Sequence, residues 1–371
     1  MGEDSQRPPA APALARGARA VLVTGGAGFI GSNLVDSLAA DGRDVLVYDS
    51  LGRPGVERNL DWLRARHPDR IIFVRADVRD EARLAEAARE ADAVFHLAAQ
   101  VAVTTSLDDP KDDFEVNARG TLNVLEAVRA TGRRVPVIFS STNKVYGALL
   151  DLAMKEQADR YTPADPGTRA YGVGETRPLD FCTPYGCSKG VADQYVLDYA
   201  KSYGLPTAVL RMSCIYGPRQ FGTEDQGWVA HFLIRALAGE TITIYGDGKQ
   251  VRDVLHVADA VRAYRLLLDT IETVAGRAFN LGGGPANAVS LRMVLDEIAR
   301  VAARPLDLAH SEWRTGDQLY FVADTRGIEA AVGWRAKIGW REGVDDLGRW
   351  LKDPNRYGTA DAARAVRRVS A

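Results

Sequence analysis

Cysteine is scarce in this chain: three in 371 residues, with no Cys-x-x-Cys and no His-Glu-x-x-His spacing. Cys182, Cys187 and Cys214 cannot all pair, so no disulfide framework is expected. No structural metal is expected either. The thiols read as free and the setting as reducing, which places the protein in the cytoplasm. Cys187 reads as a packed small residue. An excess of charge is also lacking, since 47 Lys and Arg face 49 Asp and Glu for a net charge of −2. That balance gives no general attraction for nucleic acid or an anionic membrane. No apolar run is long enough to span a bilayer. The first 17 residues are rich in Pro, Ala and Arg and have no apolar centre, so they do not form a secretory signal. No internal repeat is visible. What the chain does have is 46% hydrophobic residues and length for two compact units.

Ala20 to Val23 is a short apolar run of strand type. It leads into Thr24-Gly25-Gly26-Ala27-Gly28-Phe29-Ile30-Gly31, and helical periodicity follows through Leu34, Val35 and Leu38. Strand, glycine turn and helix form the setting of a dinucleotide fingerprint. Gly25 serves the tight turn, Gly28 the approach of a pyrophosphate, and Gly31 the packing of helix on strand. A second strand ends at Asp49, where a ribose-binding acid belongs. A carboxylate there accepts from the ribose hydroxyls and repels a 2′-phosphate, so NAD is expected over NADP.

Tyr185 and Lys189 lie four residues apart, on a predicted helix that begins at Pro184. That spacing puts both on one face. An ammonium beside a phenol favours the phenolate, so Lys189 is expected to draw the Tyr185 pKa down. Such a tyrosine takes a proton from an alcohol as hydride leaves its carbon.

Strands and helices alternate through Ile71–Val74, Glu81–Glu90, Ala93–Leu97, Asn117–Ala130, Val135–Phe139 and Thr207–Leu210. This rhythm predicts an α/β fold, a Rossmann-like doubly wound parallel sheet with ligands at the carboxyl ends of the strands. Asp77, Ala98, Gln100, Thr142 and Ser213 fall at or just beyond such ends. After residue 213, turn clusters and shorter helices predict a smaller α/β lobe. The expected division is a tail at 1–18, a large unit at 19–212 with 251–285 returning to it, a lobe made of 213–250 and 286–351, and a tail at 352–371.

The glycine turn, Asp77-Val78, His96-Leu97-Ala98-Ala99-Gln100, Asn117-Ala118-Arg119-Gly120-Thr121, Ser140-Ser141-Thr142 and Tyr185-x-x-x-Lys189 appear in one order. Together they resemble the extended short-chain dehydrogenase/reductases that act on nucleotide sugars. The resemblance runs from Val21 to Trp350. It implies NAD held by the large unit, at Gly25, Gly28, Phe29, Ile30, Gly31, Asp49, Asp77, Val78, Leu97, Ala98, Ala99, Gln100, Asn117 and Lys189. It also implies a nucleotide sugar held mainly by the lobe, a catalytic triad of Thr142, Tyr185 and Lys189, and a homodimer built on helices of the large unit.

Ser140-Ser141-Thr142-Asn143-Lys144-Val145-Tyr146-Gly147 and Gly248-Lys249-Gln250-Val251-Arg252-Asp253 are similar to the CDP-paratose 2-epimerase branch. Cys182 and Ile215 depart from that pattern near the sugar pocket. In the 4,6-dehydratases of the family, Asp-Glu follows the catalytic threonine. Asn143-Lys144 stand there in this chain, and an amide and an ammonium cannot act as that acid–base pair. The expected reaction is epimerisation through a keto sugar. UDP-hexose 4-epimerase is the alternative, then dehydratase or UDP-glucuronate decarboxylase. A sensor that binds NAD without turnover is the alternative outside the enzymes.

The remaining candidates lie in or beside the lobe. Arg252 and Arg314 are pyrophosphate candidates, with surface ion pairing as the other reading. Gln226 and Trp228 are candidates for the base, and Asn143, Lys144 and Ser213 for the sugar. The long polar segment 148–177 is expected to lid the pocket through Arg160, Tyr161 and Glu175.

Overall fold

Val21 and Val23 project to one side of their strand and Leu22 to the other, and all three are buried. A strand with two buried faces lies between two layers of helix. The structure, a computed structural model describing residues 19–314 and 316–353, has this arrangement. Seven parallel strands run across the main sheet in the order Arg277–Leu281, Thr207–Met212, Val137–Thr142, Ala91–His96, Ala20–Thr24, Val45–Asp49 and Ile71–Arg75. Helices Phe29–Ala40 and Val257–Asp269 cover Val23, Val47, Phe95 and Leu210 on one face. Helices Glu81–Arg89, Gly120–Arg129 and Thr183–Tyr203 cover Leu22, Leu46, Phe139 and Val209 on the other. The chain order switches between Ala20–Thr24 and Ala91–His96. Connections leaving the carboxyl ends of these two strands go opposite ways and open a crevice.

Past Ser213 the chain builds the smaller lobe. Its central strand is Val251–His256, antiparallel to Ala288–Ser290 and parallel to Tyr320–Phe321 and Cys214–Tyr216. Helices Trp228–Ala238, Leu291–Ala302 and Trp340–Lys352 pack Phe232, Leu233, Ile298 and Leu347 into a separate core. The expectation for 251–285 is therefore corrected in part. Helix Val257–Asp269 and strand Arg277–Leu281 join the large unit, but strand Val251–His256 belongs to the lobe sheet. Every residue of that strand is buried, and a continuous buried run carries no periodic mark of which sheet it joins.

The 148–177 segment forms a hairpin of Met154–Glu156 and Tyr161–Pro163 and a short helix, Pro166–Tyr171. The expectations for the two tails lie outside the described residues, apart from Lys352 and Asp353 at the end of the last helix. No described helix is long and apolar enough to cross a membrane.

Candidate active site

A cleft of about 800 Å³ opens beyond the carboxyl ends of the main sheet. Its first wall is backbone. Gly25 has φ +68°, and a Cβ there would lie 2.7 Å from the Ala98 nitrogen. A Cβ on Gly31 would lie 2.1 Å from the Gly25 carbonyl oxygen. Gly28 begins helix Phe29–Ala40 without a side-chain cap, so the first amides of the helix are left for a ligand. Gly28, Phe29, Ile30 and Gly31 all line the cleft. Asp49 ends its strand beside them. Its two oxygens accept from the Ala27 amide at 3.0 Å and the Leu51 amide at 2.8 Å. Burial raises its pKa, and those same amides oppose the rise. Each oxygen keeps a lone pair for a ribose hydroxyl.

Asp77 and Val78 line the cleft after strand Ile71–Arg75. Hydrogen bonds from Arg79 hold the Asp77 carboxyl below its ordinary range. Leu97, Ala98, Ala99 and Gln100 line it after strand Ala91–His96. An uncapped helix start, a turn with no room for a side chain and an anchored carboxylate fit a dinucleotide such as NAD.

Thr142 ends the strand Val137–Thr142, and Tyr185 and Lys189 share one face of helix Thr183–Tyr203. The helix opens on Thr183, a non-glycine residue at φ +67°, followed by Pro184. The Ser106 hydroxyl caps it by accepting from the Tyr185 amide at 3.2 Å. A strained entry held by such contacts is typical of a functional site. The Thr142 hydroxyl stands beside the Tyr185 phenol and favours its ionised form. Lys189 Nζ lies 4.1 Å from the centre of the Phe139 ring.

Burial pushes the Tyr185 phenol up to about 12 and the Lys189 ammonium down to about 7. In the protein alone, Lys189 therefore does not draw the phenol down as expected. Loss of water raises the phenol, Thr142 opposes the rise and the Asp113 carboxylate adds to it.

Asn117 does not line the cleft. It sits in a π-helical turn, Glu115–Arg119, a distortion that often marks functional sites. Its side-chain oxygen accepts from the Gln100 amide at 3.0 Å, and its Nδ2 lies 3.1 Å from the Ser188 hydroxyl. It ties a cleft-lining loop to the helix of Tyr185.

At the other end of the cleft the walls are side chains. Lys144 Nζ donates to the Gly316 carbonyl at 3.2 Å and stands 4.0 Å from Asp317. Burial and the nearby Arg252 push its ammonium down. Asn143 lies 3.4 Å from the Gln318 side chain. Ser213 donates to the Asp253 carboxylate, Gln226 accepts from the Arg53 guanidinium, and Trp228 Nε1 lies 3.4 Å from Cys214 Sγ. All five candidates line the cleft, as does Ile215.

Arg252 and Arg314 do not. Arg252 is buried against Asp317 at 2.6 Å. Arg314 stacks 3.9 Å above the Tyr245 ring and faces Glu224 at 3.9 Å and Asp225 at 3.8 Å. The lid expectation also fails. Arg160 donates to the Ala288 carbonyl at 2.6 Å, Tyr161 to Asp247 at 2.7 Å, and Glu175 accepts from the Asn280 amide at 2.8 Å. These polar groups are spent on the lobe and the edge of the main sheet, and none lines the cleft. Cys187 is exposed rather than packed, because it lies two residues from Tyr185 and so points away from the catalytic face.

Three arginines of the cleft, Arg53, Arg79 and Arg219, escaped the sequence reading. Arg53 stands four residues after Asp49 in a Gly- and Pro-rich loop, and that placement was the available signal. Arg219 stacks 3.3 Å from the Trp62 ring, and burial lowers its guanidinium to about 10.

Residues 21–282 match the NAD dependent epimerase/dehydratase family. The chain is 42% identical to the CDP-paratose 2-epimerase of Salmonella typhi, over 89% of this chain and 98% of that protein. Among solved structures it is similar to the UDP-glucose 4-epimerase of Thermotoga maritima with UDP-glucose, at TM-score 0.77 and 31% identity, covering 90% of this chain and 98% of that one. It is similar as well to a double mutant of dTDP-glucose 4,6-dehydratase from Streptomyces venezuelae with NAD bound, at TM-score 0.78 and 30% identity, covering 90% and 97% of the two chains. With a family match spanning most of the sheet, and a cleft whose glycine turn and carboxylate suit that cofactor, the chain belongs to the NAD-dependent epimerase/dehydratase family.

Proposed function

We propose that the chain epimerises a nucleotide sugar by transient oxidation of one ring carbon, and that its substrate is a CDP-sugar of the paratose/tyvelose type, with C2 as the reacting centre. The observation that carries this reading is Asn143-Lys144, which follows Thr142 into the cleft where a dehydratase needs an acid–base pair. The 42% identity to a CDP-paratose 2-epimerase supports the choice of base and carbon.

When bound in the cleft, NAD would supply a hydride acceptor for a sugar carbinol and a hydride donor for the resulting ketone. Tyr185 takes the hydroxyl proton and later returns one to the keto oxygen. Thr142 donates to that oxygen as charge develops on it. Lys189 holds the nicotinamide ribose and supplies positive charge beside the phenol. The keto sugar turns between the two steps, so the opposite configuration results. Gln226 and Trp228 hold the base. Arg252 and Arg314 reach the diphosphate once it competes for them. Exposed Leu107, Phe114, Tyr195 and Tyr203 on helices of the large unit support a homodimer across that flank, and the free thiols support a cytoplasmic setting.

UDP-hexose 4-epimerisation is the second reading, favoured by the fold similarity to a UDP-glucose 4-epimerase. A panel of CDP-, UDP-, dTDP- and GDP-sugars, with products assigned by NMR, separates the readings. Epimerisation at C2 of a CDP-sugar is expected. Reaction confined to UDP-sugars at C4 refutes the substrate assignment, and no reaction across the panel leaves the sensor. Tyr185→Phe is expected to lower turnover by on the order of 10³ while NAD still binds. Turnover retained in that variant refutes the mechanism.

A further inference from the structure

Asp113, on the short helix Pro110–Phe114, is fully buried, and that helix packs against Thr183–Tyr203, the helix of the catalytic pair. Its Oδ1 accepts from Asn117 Nδ2 at 3.1 Å, and the same Nδ2 lies 3.1 Å from the Ser188 hydroxyl. Its Oδ2 has no partner among the described residues. A carboxylate placed this way is costly unless its charge is used. Ser188 donates to the Tyr185 carbonyl at 3.2 Å, so Asp113 is linked through Asn117 and Ser188 to the turn that carries Tyr185 and Lys189.

The groups around that turn differ in how their charge is balanced. His96 faces Lys189 from strand Ala91–His96, but burial lowers it to about 3 and it stays neutral. Phe139 faces it from the next strand. Asp193, on the same helix as Lys189, is held by both arms of Arg211 at 2.9 and 2.8 Å and by Ser141 at 2.8 Å. Thr142 faces Tyr185 and carries no charge. Asp112 is exposed and paired to Arg79 at 2.7 Å, and the exposed Cys187 thiol is raised by partial loss of water and stays neutral. Asp193 and Asp113 both favour the Lys189 ammonium, Asp193 more strongly, but Asp113 is the one without a guanidinium to balance it and the one that also acts on Tyr185.

We propose that Asp113 is a positioning residue whose buried negative charge favours the protonated forms of Lys189 and Tyr185, setting the pH at which the pair works. This rests on the roles given to Tyr185 and Lys189 above. A negative charge favours the protonated form of every neighbour, so its removal moves both ionisations to lower pH.

Asp113→Asn removes the charge and keeps the size and the acceptor for Asn117. The test is a titration of NAD-loaded protein labelled at tyrosine ¹³Cζ, with the Tyr185 resonance assigned by its loss in Tyr185→Phe. The Tyr185 midpoint is expected to fall by about one pH unit, roughly a tenfold gain in phenolate at a given pH. Asp113→Ser, measured beside it as a second charge-free variant, is expected to shift the same way. An unmoved midpoint in whichever variant folds overturns the proposal, because a purely structural Asp113 does not act on the phenol. The titration needs no turnover. If no nucleotide sugar reduces the bound NAD, the proposed function fails while the titration still decides the role of Asp113.

Discussion

Gly25, Gly28 and Gly31 line the cleft with main chain, whereas its other end is lined by the Lys144 side chain, already engaged elsewhere, with Arg252 and Arg314 held outside the lining in ion pairs of their own. At the cofactor end, positions are fixed by lack of space: a Cβ on Gly31 would sit 2.1 Å from a carbonyl oxygen. The Asp49 carboxylate is pinned there by two amides. At the sugar end, Lys144 leans on Gly316 and Asp317, Arg252 on Asp317, and Arg314 on Glu224 and Asp225. A substrate must compete for those charges. One end recognises a constant partner by shape. The other is adjustable, which is how one fold can carry both an epimerase and a dehydratase among its similar structures.

The comparison breaks most sharply at Gly31. Gly31→Ala is expected to weaken NAD binding roughly ten- to a hundredfold, as overpacking of a rigid site costs about 1–3 kcal/mol. Gly339→Ala is the control, since a Cβ there meets nothing within 4 Å. Calorimetric titration of the apoprotein with NAD reads both. Equal, small effects would mean that the glycine turn gives way and that the cofactor end is as adjustable as the sugar end.

Lys144→Met tests the separation from the other side. Loss of one charge-assisted contact is worth about 1.5–3 kcal/mol, so kcat/KM for the nucleotide sugar is expected to fall roughly tenfold or more. NAD affinity is expected to stay as it was. A parallel loss of NAD affinity would show that the two ends act as one.

The same division explains what the sequence made legible. The glycine turn, Asp49 and the Tyr185–Lys189 pair each lie on one short segment, where spacing alone determines what can face a ligand. The doubly wound sheet follows from strands buried on both faces and alternating with helices. Asp113 and the placement of Val251–His256 depend on segments far apart in sequence. No local pattern marks them. The 148–177 segment has the length and polarity of a lid, yet its polar groups are consumed by Ala288, Asp247 and Asn280. The rise of the Tyr185 pKa was out of reach for the same reason, because spacing shows the ammonium but not the water removed around the phenol.

The smallest effect is expected at Asp225. Arg314 stands 3.8 Å from Asp225 and 3.9 Å from Glu224, with its guanidinium 3.9 Å above the Tyr245 ring. Both carboxylates are exposed, and pairs of this kind contribute at most about 1 kcal/mol. Asp225→Asn removes half of the competition for Arg314 and leaves the stacking on Tyr245 in place. The freed guanidinium forks more readily onto a diphosphate. KM for the nucleotide sugar is therefore expected to fall about two- to fivefold, with kcat unchanged, an effect that fades as salt screens the exposed pair. A rise in KM would mean that Asp225 itself holds the substrate. The sugar end would then recognise its ligand with an acceptor at that position as well as with cations.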